Sequence, residues 1–262
     1  TGRKDKKKGG LSENTLKKHY VIMSSIFDRA IKLKIIKYNP MSAVETPRPE
    51  KTKAQAMTSK EYHKLLSASE DNKLINTFFI SLLMTGLRRS EAMGLEWEDI
   101  NLPKGVIDVR KRYIVAEDGP IHEEKTKTKS SKRQIKMPDK LRSILKNYKK
   151  YQMEMQLQMG PDYDDSKNFV FCRPDGRQYL PGYYSNQFKK YARKAGLHEK
   201  YSLHTLRHTF ATLNLANGIQ AKVVQEMLGH STISTTLDIY SHVDLDMQKE
   251  AADKINKAVD VD

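Results

Sequence analysis

The chain has 262 residues, enough for one large domain or two modest ones that each bury a core. Its 47 Lys and Arg against 32 Asp and Glu leave a formal charge of +15, too lopsided for a typical metabolic enzyme and suited to a polyanionic partner, nucleic acid first. No stretch approaches the roughly 20 apolar residues of a membrane-spanning helix, and the single Cys172 excludes an internal disulfide and a Cys-rich metal site and fits a reducing cytoplasm.

In chain order, basic charge is densest at the front, at Arg3, Lys4, Lys6, Lys7 and Lys8. The beginning at Thr1-Gly2, with no Met and no apolar leader, reads as the boundary of a fragment. Leu16, Tyr20, Met23, Phe27, Ala30 and Ile31 recur at helical spacing, and that helix should end before Asn39-Pro40, because the residue before a proline is pushed out of helical conformation. Thr46 to Lys53 reads as a Pro- and Lys-bearing linker. The expected division is therefore residues 1–50, the remnant of a larger helical domain or a small appendage, and residues 51–262, the main domain.

The main domain opens on Thr58-Ser59-Lys60-Glu61, which has the spacing of a capping box, followed by the apolar Tyr62, Leu65 and Leu66. Leu74 to Met84 predicts a core helix broken at Gly86, and Arg88 to Gly94 a second one, with Leu95, Trp97 and Ile100 buried after it. Val106 to Val109, Tyr113 to Val115 and Arg133 to Met137 alternate as strands of one small antiparallel sheet, and the polar tract Lys125 to Lys132 reads as its exposed hairpin tip. Further helices are expected over Leu141 to Met159, Gln187 to Ala195, Ser202 to Gly218 and Ala221 to Leu228, the last stopped by Gly229. Phe169-Val170-Phe171 is expected as a short strand. The fold class is mainly α with a small antiparallel β-sheet, that is α+β.

Three clusters could carry chemistry: Thr85-Gly86-Leu87-Arg88-Arg89-Ser90-Glu91, His204-Thr205-Leu206-Arg207-His208, and Leu228-Gly229-His230 followed by Tyr240. On a helix His204 and Arg207 share a face, so one surface can offer an imidazole and a guanidinium to a phosphate. Taken singly each has a plainer reading: His204 as a cap, Arg207 in an ion pair, His230 as a surface residue after a helix stop, Tyr240 as a packing residue with a wet hydroxyl. His204 and His208 also have the spacing of zinc-binding helices, but no Glu follows His204 and Arg207 would repel a cation, so no metal and no cofactor is expected.

Taken together, these clusters resemble the tyrosine recombinase (phage integrase) family, whose signature joins an early Arg in Thr-Gly-x-Arg-x-x-Glu, a late His-x-x-Arg, a Gly-His and a Tyr about ten residues on. The resemblance runs from about Leu11 to Ser241 and is carried by "LHTLRHTFAT" and "MLGHSTISTTLDIYSH". It implies a recombinase catalytic domain preceded by part of a helical core-binding domain, whose last stretch would be "IIKYNPMSAV". It further implies that Arg88, His204, Arg207 and His230 activate a phosphate and that Tyr240 is the nucleophile. The family's catalytic lysine falls on the polar hairpin at Lys127, with Lys129 as the alternative, and Glu91 matches a supporting carboxylate.

The activity implied is site-specific cutting and rejoining of double-stranded DNA at attachment or recombination sites through a 3′-phosphotyrosyl link, without metal or ATP. In that chemistry two guanidinium forks offset charge on the non-bridging oxygens, His204 serves as base and the lysine protonates the 5′ leaving oxygen. Alternative readings are a type IB topoisomerase-like nicking and closing activity, a non-catalytic DNA-binding regulator on the same scaffold, and a metal-dependent nuclease. Ala251, Ala252, Ile255 and Val259 form an apolar stripe on the tail, which would pack on its own domain or dock on a neighbouring protomer, giving a homo-tetramer on DNA. The setting expected is a bacterial cytoplasm, at the nucleoid, with a mobile element as host and a directionality factor as a further partner.

Overall fold

A computed structural model describes residues 10–49, 55–116, 119–124 and 132–238, with the backbone alone for residues 115, 116 and 119–124. The chain divides into two compact units, Thr1–Lys53 and Ala54–Asp262. In the first, α1 (Glu13–Lys32) is capped by Ser12, whose hydroxyl accepts from the Thr15 amide. A 3₁₀ turn over Pro40–Ala43 folds back on it: Asn39 Nδ2 donates to Ser24 O at 3.2 Å and to Asp28 Oδ1 at 2.7 Å, and the Tyr20 hydroxyl donates to Met41 O. The proline that forbids helix at Asn39 starts the turn that returns the chain.

The second unit begins with α2 (Ser59–Ala68), and its Thr58–Glu61 capping box forms as the spacing predicts. α3 (Lys73–Thr85) is the axis of the core. Phe78, Phe79 and Leu82 are almost wholly buried, each contributing about 1.5–3 kcal/mol relative to exposure, and Phe78 stacks on Tyr184 and meets Phe171 edge-on at centroid distances of 4.1 and 5.1 Å. α3 ends at Gly86 in the left-handed region, φ +66. α4 is only Arg89–Met93 and is followed by a 3₁₀ turn over Trp97–Asp99.

Among the described residues the expected single sheet is two. One has three antiparallel strands in the order β1 (Ile100–Asn101), β2 (Val106–Val109), β5 (Arg133–Lys136); the other is the hairpin of β3 (Lys111–Ala116) and β4 (Gly119–Glu124). The period-two pattern marks strands but not their partners. β3 leaves the first sheet at Arg110 and Lys111, which pair with the turn before β1, Arg110 Nη2 with Asp99 at 2.5 Å and Lys111 Nζ with Glu98 at 2.6 Å. The expected hairpin tip lies outside the described residues save for Lys132.

α5 (Asp139–Met159) follows expectation, but Phe169-Val170-Phe171 is not a strand: it makes one isolated bridge, Phe169 to Glu96, held by the buried Gln152, which donates to Phe169 O and accepts from Trp97 Nε1. Three consecutive apolar residues are buried there without, among the described residues, a neighbouring strand to pair with. α6 runs Pro181–Lys194, six residues earlier than expected, because Pro181 occupies the first helical position and Tyr184 and Phe188 already belong to the buried face. α7 (Leu203–Ala216) and α8 (Ala221–Leu228) match the sequence pattern, and a short α9 (Ile233–Leu237) was not expected. The mainly helical α+β class stands. No helix among the described residues is long and apolar enough to cross a membrane.

Candidate functional site

α8 is where the site is assembled. A helix end leaves carbonyls without intrahelical partners, and here three successive ones are taken by arginines from three other elements. Arg133 Nε, on β5, donates to Met227 O at 2.6 Å; Arg207 Nη2, on α7, to Leu228 O at 2.7 Å; Arg88 Nη2, just before α4, to Gly229 O at 3.0 Å. Positive charge at a helix C-terminus is also favoured by the helix dipole. Gly229 is left-handed, φ +66, so the chain turns out of α8 and presents His230.

Glu91 is fully buried and sits beneath two of these arginines. Its Oε1 accepts from Arg88 Nη1 at 2.8 Å and its Oε2 from Arg133 Nη2 at 2.8 Å, while Oε2 also takes the Arg88 amide at 3.0 Å. One carboxylate thus orients two guanidinium planes, and the charge-assisted bonds are of the strong kind. Arg207 has a 3% exposed residue surface and donates to Gly86 O at 2.5 Å as well as to Leu228 O, bridging the end of α3 to the end of α8. Burial first, and then the neighbouring Arg88 charge, press its pKa down to about 9, which leaves it cationic at neutral pH.

Arg88, His204 and Arg207 line one open cleft of about 350 Å³ with Arg89, Ser90 and Ser185. His204 stands at the rim on the first turn of α7, its ring edge-on to His208 at 4.4 Å. Partial desolvation, then the charges of Arg207 and Arg88, hold its pKa below the ordinary histidine value, so the imidazole is neutral and able to accept a proton. His230 is half-buried. Its Nδ1 is 2.9 Å from the Thr236 hydroxyl on α9, which leaves Nε2 as its other ring nitrogen for a ligand, and its backbone is tied at both ends to Gln225. Desolvation, followed by Arg207 and Arg88, lowers its pKa to about 4.

Of the residues singled out from the sequence, Arg88, His204, Arg207 and His230 come together here, with Glu91 under Arg88. Lys127, Lys129, Tyr240 and the tail stripe Ala251, Ala252, Ile255 and Val259 lie outside the described residues. Two contributors went unread. Arg133 shares its strand face with the buried Ile135 and Met137, positions i, i+2 and i+4, so the alternation that defined β5 already placed its side chain inward. Thr236 had no local signal, because its partner His230 is chosen by the turn at Gly229. The arrangement gathers two guanidinium forks and two neutral imidazoles around one open cleft and its neighbour, the donor set that a tetrahedral anion of phosphate type would take.

Residues 55–247 match the model of the phage integrase family. The chain is 30% identical over 249 residues to the ICEBs1 integrase of Bacillus subtilis (strain 168), covering 94% of this chain and 66% of that protein, so it spans about two thirds of the relative's length. In fold it is similar to the Tn1549 transposon integrase in complex with transposon right end DNA, with a TM-score of 0.78 at 24% identity over 94% of this chain and 80% of that one. It is also similar to a lambda integrase tetramer bound to a Holliday junction, with a TM-score of 0.56 at 19% identity over 81% and 57% of the two chains.

Proposed function

This chain belongs to the phage integrase family of tyrosine recombinases, and from that premise we propose that it cuts and rejoins DNA strands at specific sites through a covalent link to Tyr240. The observation that carries the reading is the convergence of Arg88 and Arg207 on the single carbonyl of Leu228, at 3.5 and 2.7 Å, which sets two guanidinium groups side by side with His204 on the same cleft.

A phosphodiester resists attack because its oxygens are already anionic. Each arginine spends part of its five donors on backbone carbonyls and keeps others for a ligand, so the pair can offset the charge that grows on the non-bridging oxygens as phosphorus becomes five-coordinate. The Tyr240 hydroxyl attacks phosphorus, its proton passing to neutral His204; the bond to the 5′ oxygen breaks, and Lys127, with Lys129 as the alternative, gives that oxygen its proton. The resulting 3′-phosphotyrosyl bond retains the energy of the original linkage, so a 5′ hydroxyl of another strand reverses the step without ATP or metal. The +15 charge suits the duplex partner, whose phosphates release counterions on binding.

Wild-type protein incubated with nicked duplexes of its attachment site is expected to form an adduct that survives denaturing gels, and Tyr240→Phe to form none; an adduct with the phenylalanine variant removes Tyr240 as nucleophile. Assembly is proposed as a tetramer on DNA, through exchange of the tail. Deleting residues 251–262 should then weaken synapsis and spare cleavage of a single site, and undiminished recombination by the truncated chain would count against the exchange. Residues 1–50 are proposed as the end of a helical core-binding domain with its linker and 51–262 as the catalytic domain.

A further inference from the structure

We infer that Arg133 is a positioning residue of the strand-transfer site, locking the end of α8 and the Arg88 guanidinium to one another. The inference rests on the reading of the site given above and adds to it a group outside the set of residues that meet the phosphate. Arg133 lies on β5, paired across the sheet with Val109, and its side chain is 8% exposed. Its guanidinium has two jobs at once. The Nη1 and Nη2 atoms reach both oxygens of Glu91, at 3.2 and 2.8 Å, and Nε donates to Met227 O at 2.6 Å.

The consequence follows from the geometry of Glu91. That carboxylate also receives the Arg88 amide and Arg88 Nη1, so Arg133 and Arg88 compete for and divide the same two oxygens. With Arg133 in place, the Arg88 guanidinium holds Glu91 through Nη1 alone and turns Nη2 to Gly229 O. Without it, Glu91 loses its two Arg133 donors, the Arg88 fork, which matches a carboxylate bidentately, is drawn further onto it, and the last turn of α8 loses the donor on Met227 O. Arg88 would then rotate toward Glu91 and His230 would lose its fixed base. A lysine in place of Arg133 keeps the charge but, as a single ammonium on a flexible stem, cannot grip the carboxylate in a fork and hold the carbonyl in the same geometry.

The test uses the full chain under single turnover, with protein saturating a nicked duplex of its attachment site. Arg133→Lys and Arg133→Met are expected to slow adduct formation roughly 10- to 100-fold, methionine more than lysine, with affinity for the duplex unchanged within about threefold. The defect should shrink when the scissile phosphate is a neutral methylphosphonate, since that substrate asks less of the Arg88 fork. Rates within about twofold of wild type for both variants, or an equal defect on both substrates, would overturn the inference, the latter marking a general lesion. If the wild type itself makes no adduct, the strand-transfer reading fails, and the amide resonances of Gly229 and His230 in DNA-free Arg133→Lys decide the positioning separately: a shift supports it and unchanged signals refute it.

Discussion

Arg207 Nη2 donates to the carbonyl oxygen of Leu228 at 2.7 Å, so a side chain from the middle of α7 carries the last residue of α8. The same guanidinium reaches Gly86 O, the end of α3. Three helices therefore meet on one planar group. Arg207→Lys should lose one of the two carbonyl bonds, leaving a buried acceptor unsatisfied at a cost of about 1–3 kcal/mol. Adduct formation should fall by about 10²- to 10³-fold. Urea denaturation and single-turnover cleavage check the two figures, and a fully active, fully stable lysine variant would show that the fork is dispensable.

Glu91 is the carboxylate under Arg88 and Arg133 and has no exposed surface. Removing one partner of a buried charged cluster leaves the others uncompensated, so Glu91→Ala is expected to destabilise the protein by about 3–5 kcal/mol. Glu91→Gln keeps the shape and should lose less. Chemical denaturation of both variants gives the comparison, and equal losses would mean that packing, not charge, is what Glu91 supplies.

The histidines of the cluster make stability depend on acid. His208 and His230 have pKa values lowered to about 4, by desolvation first and then by neighbouring groups: His204, which repels once it is itself protonated in acid, and Arg207 around His208, and Arg207 and Arg88 around His230. Unfolded histidine titrates near 6.5, so between about 4 and 6.5 the unfolded chain binds more protons than the folded one. Stability is accordingly full above pH 6.5 and is lost as pH falls toward 4. Urea midpoints at pH 7 and 4.5 should differ in that direction, and His208→Phe should reduce the difference; a midpoint that rises on acidification contradicts it.

Gly86 is required by its conformation and its surroundings together. Its φ is +66, and a Cβ there would lie 2.5 Å from Phe210 Cδ1 and 2.7 Å from Leu228 Cδ2. Gly86→Ala should cost about 1–3 kcal/mol or more from strain and overpacking. It should also depress cleavage, because Gly86 O is one of the two anchors of Arg207. Thermal unfolding and the adduct assay should move together, whereas a stability loss with full cleavage would show that the anchor tolerates displacement.

Much of this was legible in the residues alone. Helical spacing and end signals located α2, α3, α5, α7 and α8, because the capping box at Thr58 and the left-handed glycines at Gly86 and Gly229 act over three or four residues of chain. The sheet was read less well. β1 has two residues and the pairing of β2 with β5 spans a long insertion, so alternation showed strands without their neighbours. The burial of Phe169 to Phe171 without a strand depends on Gln152, some seventeen residues before them, which no local pattern announces.

By itself the sequence determined which residue types stand at which spacing: an arginine after a glycine stop, a His-x-x-Arg on one helix face, a Gly-His closing another helix, and a large positive charge. What only the tertiary structure decided is how those groups are held. Arg88, Arg133 and Arg207 come from α4's entry, β5 and α7, and they are fixed by the carbonyls of Met227, Leu228 and Gly229 and by the buried Glu91. Backbone carbonyls carry no sequence identity, so a site built on the open end of a helix becomes visible only when the elements around that end are in place.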